Sequence, residues 1–298
     1  MRGSPSSMPE LPEVETYARY FAKHALDQQI ARVEVRDERI LGEIRRETFA
    51  KKLRGRSFTS VRRHGKHLFA QACHSERSRG IPRQQATAAA SAGDPSTSLG
   101  MTHATWLHLH FGMTGDLTYS RHREGDPRFA RVVFHFDNGA WLAFEDMRLF
   151  GLAELVASPD DYIAEHRLGP DPLDPQFTFA RFASLLERRK GAVKSLLMTQ
   201  EIIAGLGNLY VDETLYQASV HPQRAIDELR AEERKAIFTT MRRILRETIA
   251  RHGREAALPP QYLYHHREEG ERCPRCGGTI KRAVVFGRTT YFCGKHQQ

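Results

Sequence analysis

The chain has no apolar run near the roughly 18 residues a membrane span needs, and its opening residues, Met1–Ser7, lack the apolar stretch of a secretory signal. Cysteine is scarce, four in 298 residues, too few for a disulfide scaffold. Acid groups are also short: 36 Asp+Glu against 45 Lys+Arg leave a net charge of +9. These absences argue against a membrane protein and a secreted disulfide-rich protein. The deficit of acid points to a polyanionic partner, most often nucleic acid, with an ordinary basic soluble protein as the alternative.

What is present is an ordinary globular share of apolar residues, 40%, over a length that suits about two domains and a small appendix. Met1–Ser7 reads as a leader or tag, with Met8 as the biological start. Pro12-Glu13-Val14-Glu15-Thr16 opens a helix, because proline suits the first turn and Glu there complements the helix dipole. Ala31–Arg36 and Ser57–Arg63 alternate as strands. Cys73–His103 holds few large aliphatic residues and reads as a disordered insertion between two strands. Thr105–His110 and Leu117–Tyr119 resume strand texture. Arg131–Phe136 and Ala140–Phe144 flank Asp137-Asn138-Gly139, a hairpin signal. Residues to about Val156 thus form an antiparallel β domain with one N-terminal helix. Pro159–Pro175 reads as a linker. Helices are expected at Phe179–Leu186, Val193–Met198, Leu209–Ala218 and Glu228–His252, the last stopped by Gly253.

Three motifs carry chemistry. Cys273-x2-Cys276-x16-Cys293-x2-His296 has the knuckle spacing of one tetrahedral structural zinc site. Its module, Arg267–Gln298, carries seven Lys/Arg against three Glu, so it reads either as a phosphate-contacting hairpin or as a zinc ribbon that docks protein. Gly205-Leu206-Gly207-Asn208-Leu209-Tyr210 runs into a helix and suits either a phosphate cradle or a plain tight turn. Lys190 and Lys194 lie one helical turn apart just upstream, as added positive charge or a solvated face. Pro9-Glu10-Leu11-Pro12-Glu13 suits helix capping. Removal of Met8 would also free the secondary amine of Pro9, a nucleophile toward an aldehyde-like carbon, with Glu10 beside it to move protons.

Together these residues resemble the formamidopyrimidine-DNA glycosylase family, which also holds endonuclease VIII. The resemblance rests on Met8–Thr16, Gly65-Lys66, His110-Phe111-Gly112-Met113-Thr114-Gly115, Asp146-Met147-Arg148-Leu149-Phe150-Gly151, Lys194–Met198, Ile203–Tyr210, His221-Pro222 and the zinc hairpin. It implies an α+β multidomain fold: a leader 1–7, a β-sandwich domain 8–157, a helix–two-turn–helix domain 158–266 and a zinc finger 267–298. It implies a bifunctional glycosylase and abasic-site lyase of base-excision repair, acting in the bacterial cytoplasm as a monomer on double-stranded DNA with oxidised bases or abasic sites. Pro9 would form the Schiff base, Glu10 would transfer protons, and Lys66 and Arg288 would serve β- and δ-elimination. Met113, Arg148 and Phe150 would fill the gap left by the extruded nucleotide, and Arg189, Lys194 and Asn208 would hold phosphates. One zinc would sit on Cys273, Cys276, Cys293 and His296.

The chain departs from the family pattern in several places. His296 replaces a usual cysteine, Leu149 a common second arginine, and Met1–Ser7 precede the nucleophile. Gly253–Glu271 is short where oxidised-purine enzymes carry a base-capping loop, so weaker action on 8-oxoguanine is expected. The rival readings are a damaged-DNA binder without catalysis, if Pro9 keeps its amide, and a zinc-ribbon transcription or RNA-binding protein.

Overall fold

The computed structural model describes residues 8–74, 105–122 and 127–298. α1 (Leu11–Ala25) carries Pro12 and Glu13 in its first turn and Lys23 and His24 in its last, as its dipole favours. Its buried Val14, Ala18, Phe21 and Ala25 join the core of the β domain, whereas Leu11, at its first turn, packs into the core of the helical domain. α1 is therefore a pin through both halves.

Two four-stranded antiparallel sheets follow. One runs β1 (Ile30–Val35), β6 (Ala130–Phe136), β7 (Trp141–Asp146), β5 (Gly115–Ser120). The other runs β2 (Arg56–His64), β3 (His67–His74), β4 (Thr105–His110), β8 (Leu152–Val156). Inward-facing Phe58 meets Phe134 edge to face, with centroids 5.7 Å apart, between them. The Asp137–Gly139 turn forms as expected, with Gly139 alone of the three at positive φ.

The strand reading needs several corrections. α2 (Arg46–Leu53) lies between the first two strands; only Phe49 and Leu53 of its eight residues are buried, so its apolar signal is faint. The proline-rich stretch is not all linker: Ser158 caps α3 (Pro159–Glu165) through Asp161 N. β3 continues to His74, so Cys73 pairs with Ser57 in the sheet and belongs to no insertion. The rest of that insertion, and the leader, lie outside the described residues.

The helical domain holds α4 (Phe179–Leu186), α5 (Val193–Met198), α6 (Asn208–Gln217) and α7 (Ala231–Ala250) around one core that includes Tyr210, Met241 and Ile244. α7 is shorter than expected, and His252 takes the left-handed position one residue before Gly253. β9 (Ile280–Val285) and β10 (Arg288–Cys293) close the chain as a hairpin. Among the described residues no helix is long and apolar enough to cross a membrane.

The two halves are locked by an ion pair and a glycine crossing. Arg63 at the end of β2 donates to Asp171 and, at 2.8 Å, to Glu15. Asp171 also accepts Gly65 N–H at 2.8 Å. Burial alone would raise the Asp171 carboxyl, but Arg63 and the Gly65 and Leu173 amides outweigh it and hold it below its usual range. That stabilisation is full above the unfolded carboxyl pKa and is lost as pH falls through the lowered native one. Gly65 turns β2 into β3 at φ +55°, and a Cβ there would lie 2.8 Å from Ala204 Cβ. Gly65→Ala should therefore lower stability by about 2 kcal/mol, from left-handed strain plus overpacking, read as a shifted urea midpoint. An unchanged midpoint would show that the crossing is slack.

Candidate active site and metal centre

Pro9 is buried immediately before α1, and Met8 forms part of the wall of a cleft of about 340 Å³. Glu10 begins the helix. Its N–H donates to Glu13 Oε2 at 2.9 Å, and Tyr210 Oη donates to Glu13 Oε1 at 2.5 Å. The Glu10 carboxylate crosses to the start of α6, where it accepts Gly207 N–H at 2.5 Å and Leu209 N–H at 3.0 Å. This corrects the sequence expectation. The Gly-rich turn does cradle an anion at a helix N-terminus, but the anion is Glu10 rather than a phosphate.

Lys66 follows the Gly65 turn and is buried. A Cβ on Gly207 would fall 2.5 Å from Glu10 Cδ and 2.8 Å from Lys66 Nζ, so both functional groups converge on one bare Cα. Burial raises the Glu10 carboxyl, against the opposing pull of Lys66 and the α6 amides. Burial likewise lowers the Lys66 ammonium, with Arg288 adding to the effect and Glu10 and Glu13 opposing it. Burial thus works against the charge on both groups, the kind of perturbation found where protons are moved.

Lys66, Gly207 and Arg288 line the same cleft, with His67, His110, Met198, Gln200, Leu206 and Phe286. Gln200 fixes the turn by donating to Leu206 O at 2.7 Å and accepting from Gly205 N at 2.9 Å. Arg288 is exposed at the tip of the zinc hairpin, beside an exposed Phe286. His67, Gln200 and Phe286 were not found by sequence reasoning; only the cleft geometry marks them.

A second feature presents Arg148 and Phe150. Buried Asp146 accepts Gly151 N–H at 2.7 Å, Arg148 N–H at 3.1 Å and the Thr114 hydroxyl, which holds the following turn open. Leu149 sits there in the left-handed region, while Phe150 is 57% exposed with the Arg148 guanidinium 5.1 Å over its ring. Met147 is also exposed, and half-buried Met113 lies on the neighbouring turn.

The three phosphate candidates separate. Arg189 is exposed. Lys194 is fully buried: its ammonium donates to Asn208 Oδ1 (2.7 Å), Asp212 Oδ1 (2.6 Å) and Thr290 Oγ1 (2.5 Å). It is an internal strut between α5, α6 and the zinc hairpin, and the reading of it as a phosphate contact is corrected. Asn208 Nδ2 donates to Thr289 O at 2.9 Å, so its amide too braces the hairpin. Lys190 precedes α5 and shares no helix face with Lys194.

Cys273, Cys276, Cys293 and His296 bring their ligand atoms within 4.8 Å of one another. Cys276 Sγ lies 3.5 Å from Cys293 Sγ and 3.4 Å from His296 Nδ1. His296 Nε2 meets Tyr216 O at 3.2 Å, which leaves Nδ1 for the metal, and Tyr216 Oη lies 3.2 Å from Cys273 Sγ. Three thiolate sulfurs and an imidazole nitrogen at these spacings suit one tetrahedral zinc. Cys73 lies in β3, within 3.6 Å of Thr59 Oγ1, and takes no part.

Three family models cover the chain: the formamidopyrimidine-DNA glycosylase N-terminal domain at residues 8–153, the H2TH domain of the same glycosylase at 168–258, and a zinc finger found in FPG and IleRS at 270–295. The formamidopyrimidine-DNA glycosylase of Heliobacterium modesticaldum is 33% identical over 98% of this chain and 100% of its own length. That of Desulforamulus reducens is 31% identical over 98% and 99%. Among solved structures, the Lactococcus lactis formamidopyrimidine-DNA glycosylase bound non-covalently to abasic-site DNA superposes with a TM-score of 0.78. It is 26% identical and covers 97% of this chain and 99% of that one. MutM in complex with DNA containing carbocyclic 8-oxo-G gives a TM-score of 0.79 at 26% identity, covering 97% and 100%.

The metal assignment predicts that Cys276→Ala loses zinc and unfolds the hairpin, because a 32-residue module depends on the metal for its fold. One zinc per chain retained by Cys276→Ala in elemental analysis would contradict it.

Proposed function

The chain belongs to the formamidopyrimidine-DNA glycosylase family, and from that premise we propose that it excises oxidised bases from duplex DNA through an imine at Pro9 and then cuts the abasic strand by β,δ-elimination. The observation that carries this reading is the approach of Glu10, next to Pro9, and of Lys66 to the bare Cα of Gly207, with Lys66 and Gly207 in the wall of a cleft that also holds Arg288.

With Met8 removed, the Pro9 nitrogen is a secondary amine at the cleft. Its lone pair attacks C1′ as the glycosidic bond breaks and the base leaves with a proton. Glu10 stands beside Pro9 with a carboxyl raised by burial, which suits it to give a proton to the ring oxygen O4′, so that the C1′–O4′ bond breaks as the iminium forms. In the iminium, loss of a C2′ proton expels the 3′ phosphate, and a second elimination expels the 5′ phosphate. Lys66 and Arg288 supply positive charge to the leaving phosphates. Met113, Arg148 and Phe150 occupy the gap left in the duplex, since an exposed ring under a guanidinium can stack where a base has gone. Arg189 adds a phosphate contact from the helical domain. The zinc, when bound, holds the hairpin that carries Arg288 and takes no chemical step.

The lesion follows from what surrounds the cleft. Residues 253–271 fold back on α7: Leu258, Tyr262 and Leu263 are buried, His265 Nε2 meets Leu258 O at 2.9 Å, and none of these residues lines the cleft. With residues 253–271 away from the cleft, the enzyme favours abasic sites, formamidopyrimidines and oxidised pyrimidines over 8-oxoguanine. Single-turnover rates on matched duplexes test this. Fastest cutting of 8-oxoguanine opposite cytosine would mean that another element caps the base.

The amine mechanism has a sharper test. An amide nitrogen has no lone pair free for attack. A chain processed to Pro9 should be trapped on abasic DNA by borohydride, and a chain shown by mass to retain Met1 should not. Trapping of the unprocessed chain would contradict the role of Pro9. Failure of both to be trapped, with binding intact, would favour a damaged-DNA binder, the reading in which Met8 keeps its place in the cleft wall.

A further inference from the structure

Five imidazoles gather at the cleft, those of His67 and His110 in its wall and those of His64, His108 and His166 around them, and the mechanism above uses none of them. β3 and β4 pair in a register that sets His67 opposite His110 and Phe69 opposite His108. His67 Nδ1 lies 2.9 Å from His108 Nε2, and His108 Nδ1 lies 2.9 Å from Glu154 Oε1 on β8. His108 is fully buried, under the Tyr162 ring at 4.3 Å. His67 lines the cleft with Lys66 and Arg288.

The three groups fix one another's protons. A carboxylate only accepts, so His108 carries its hydrogen on Nδ1 and offers a lone pair at Nε2. His67 Nδ1 must then be the donor to it. The other nitrogen of the His67 ring, Nε2, is left bare, with no further partner among the described residues. In the free protein a cleft built for phosphate therefore carries a lone pair in its wall.

We propose that Glu154, His108 and His67 form a proton relay that turns His67 Nε2 from acceptor to donor when a DNA phosphate enters the cleft, so that DNA binding takes up a proton. The proposal rests on the DNA reading above. His67 Nε2 takes a proton from water, and the proton on His67 Nδ1 passes to His108 Nε2. The imidazolium then lies on His108 against Glu154, and a neutral His67 donates Nε2–H to the phosphate. One proton enters and no other bond changes.

The surroundings disfavour a charge on the two imidazoles until the anion arrives. His67 is faced by His64 from β2, His108 and His110 from β4, and His166 and Tyr162 from the α3 side; Glu154 reaches it only through His108. Burial first, and then the neighbouring imidazoles, pull His67 down to about 2. Burial, His108 and Lys66 pull His110 down to about 4. A phosphate adds, on the cleft side of His67, a negative charge that Glu154 supplies only on the far side of His108.

The test uses the full chain and a duplex holding one tetrahydrofuran residue, so that it measures binding alone. Kd is followed from about pH 7.5 to 5.5 at fixed ionic strength, which isolates proton uptake from screening. Wild-type affinity should rise as pH falls, about threefold or more per pH unit more steeply than in His67→Phe. Glu154→Gln, which keeps an acceptor for His108 but removes the charge, should flatten the slope as well. NMR of the imidazole nitrogens should show His67 Nε2 bare in the free wild-type protein and protonated in the complex, a readout that needs no variant to fold. Equal slopes in all three proteins, or a protonated Nε2 in the free protein, would overturn the relay and leave the glycosylase reading standing. No binding of the duplex at any pH would overturn both.

Discussion

The Glu10 carboxylate rests on the N-terminal amides of α6, reached across 197 residues of sequence, and the site depends on that contact. It satisfies helix N–H groups that would otherwise be orphaned inside the protein, and it fixes the start of α1 against the helical domain. The neighbouring Leu11 N–H reinforces it by donating to Gly205 O at 3.0 Å. The carboxyl proposed to move protons is thus also a structural joint between α1 and α6.

Burial sets the chemistry as well as the fit. Glu10 and Lys66 are both removed from water, and burial acts on them in opposite directions, disfavouring the anion in one and the cation in the other. Each partly restores the charge of its neighbour. The outcome is that burial works against the charge on both groups, as it could not on an exposed carboxylate and lysine. Arg63 stands behind this pair, clamped between Asp171 and Glu15, where Arg63 favours the Asp171 anion that burial alone would disfavour.

Much of this was legible in the chain. The strand at Thr105–His110, the helices Phe179–Leu186 and Val193–Met198 and the zinc ligands followed from local pattern, because periodicity and knuckle spacing are local properties. α2 was hidden by its lysines and arginines, and α3 by its prolines. Lys194 misled because no sequence feature separates a lysine buried against Asp212 from one reaching for phosphate. The Gly205–Tyr210 turn read equally as a phosphate cradle or a plain tight turn, and its anion came from the other end of the chain. The histidines at 64, 67, 108 and 110 gained meaning only from the register of β3 on β4, which long-range pairing decides.

The central claim is that bare backbone at Gly207 lets the carboxylate and the lysine both close in on one point. Gly207 has an ordinary extended backbone, so alanine is allowed there and only the close approach is lost. The decisive measurement is the single-turnover base-excision rate of Gly207→Ala, in a chain processed to Pro9, beside its affinity for abasic-analogue DNA. The account predicts a rate at least about 100-fold lower, as expected when general acid–base groups are displaced, with DNA affinity largely kept. A Gly207→Ala enzyme that cuts at the wild-type rate would contradict it.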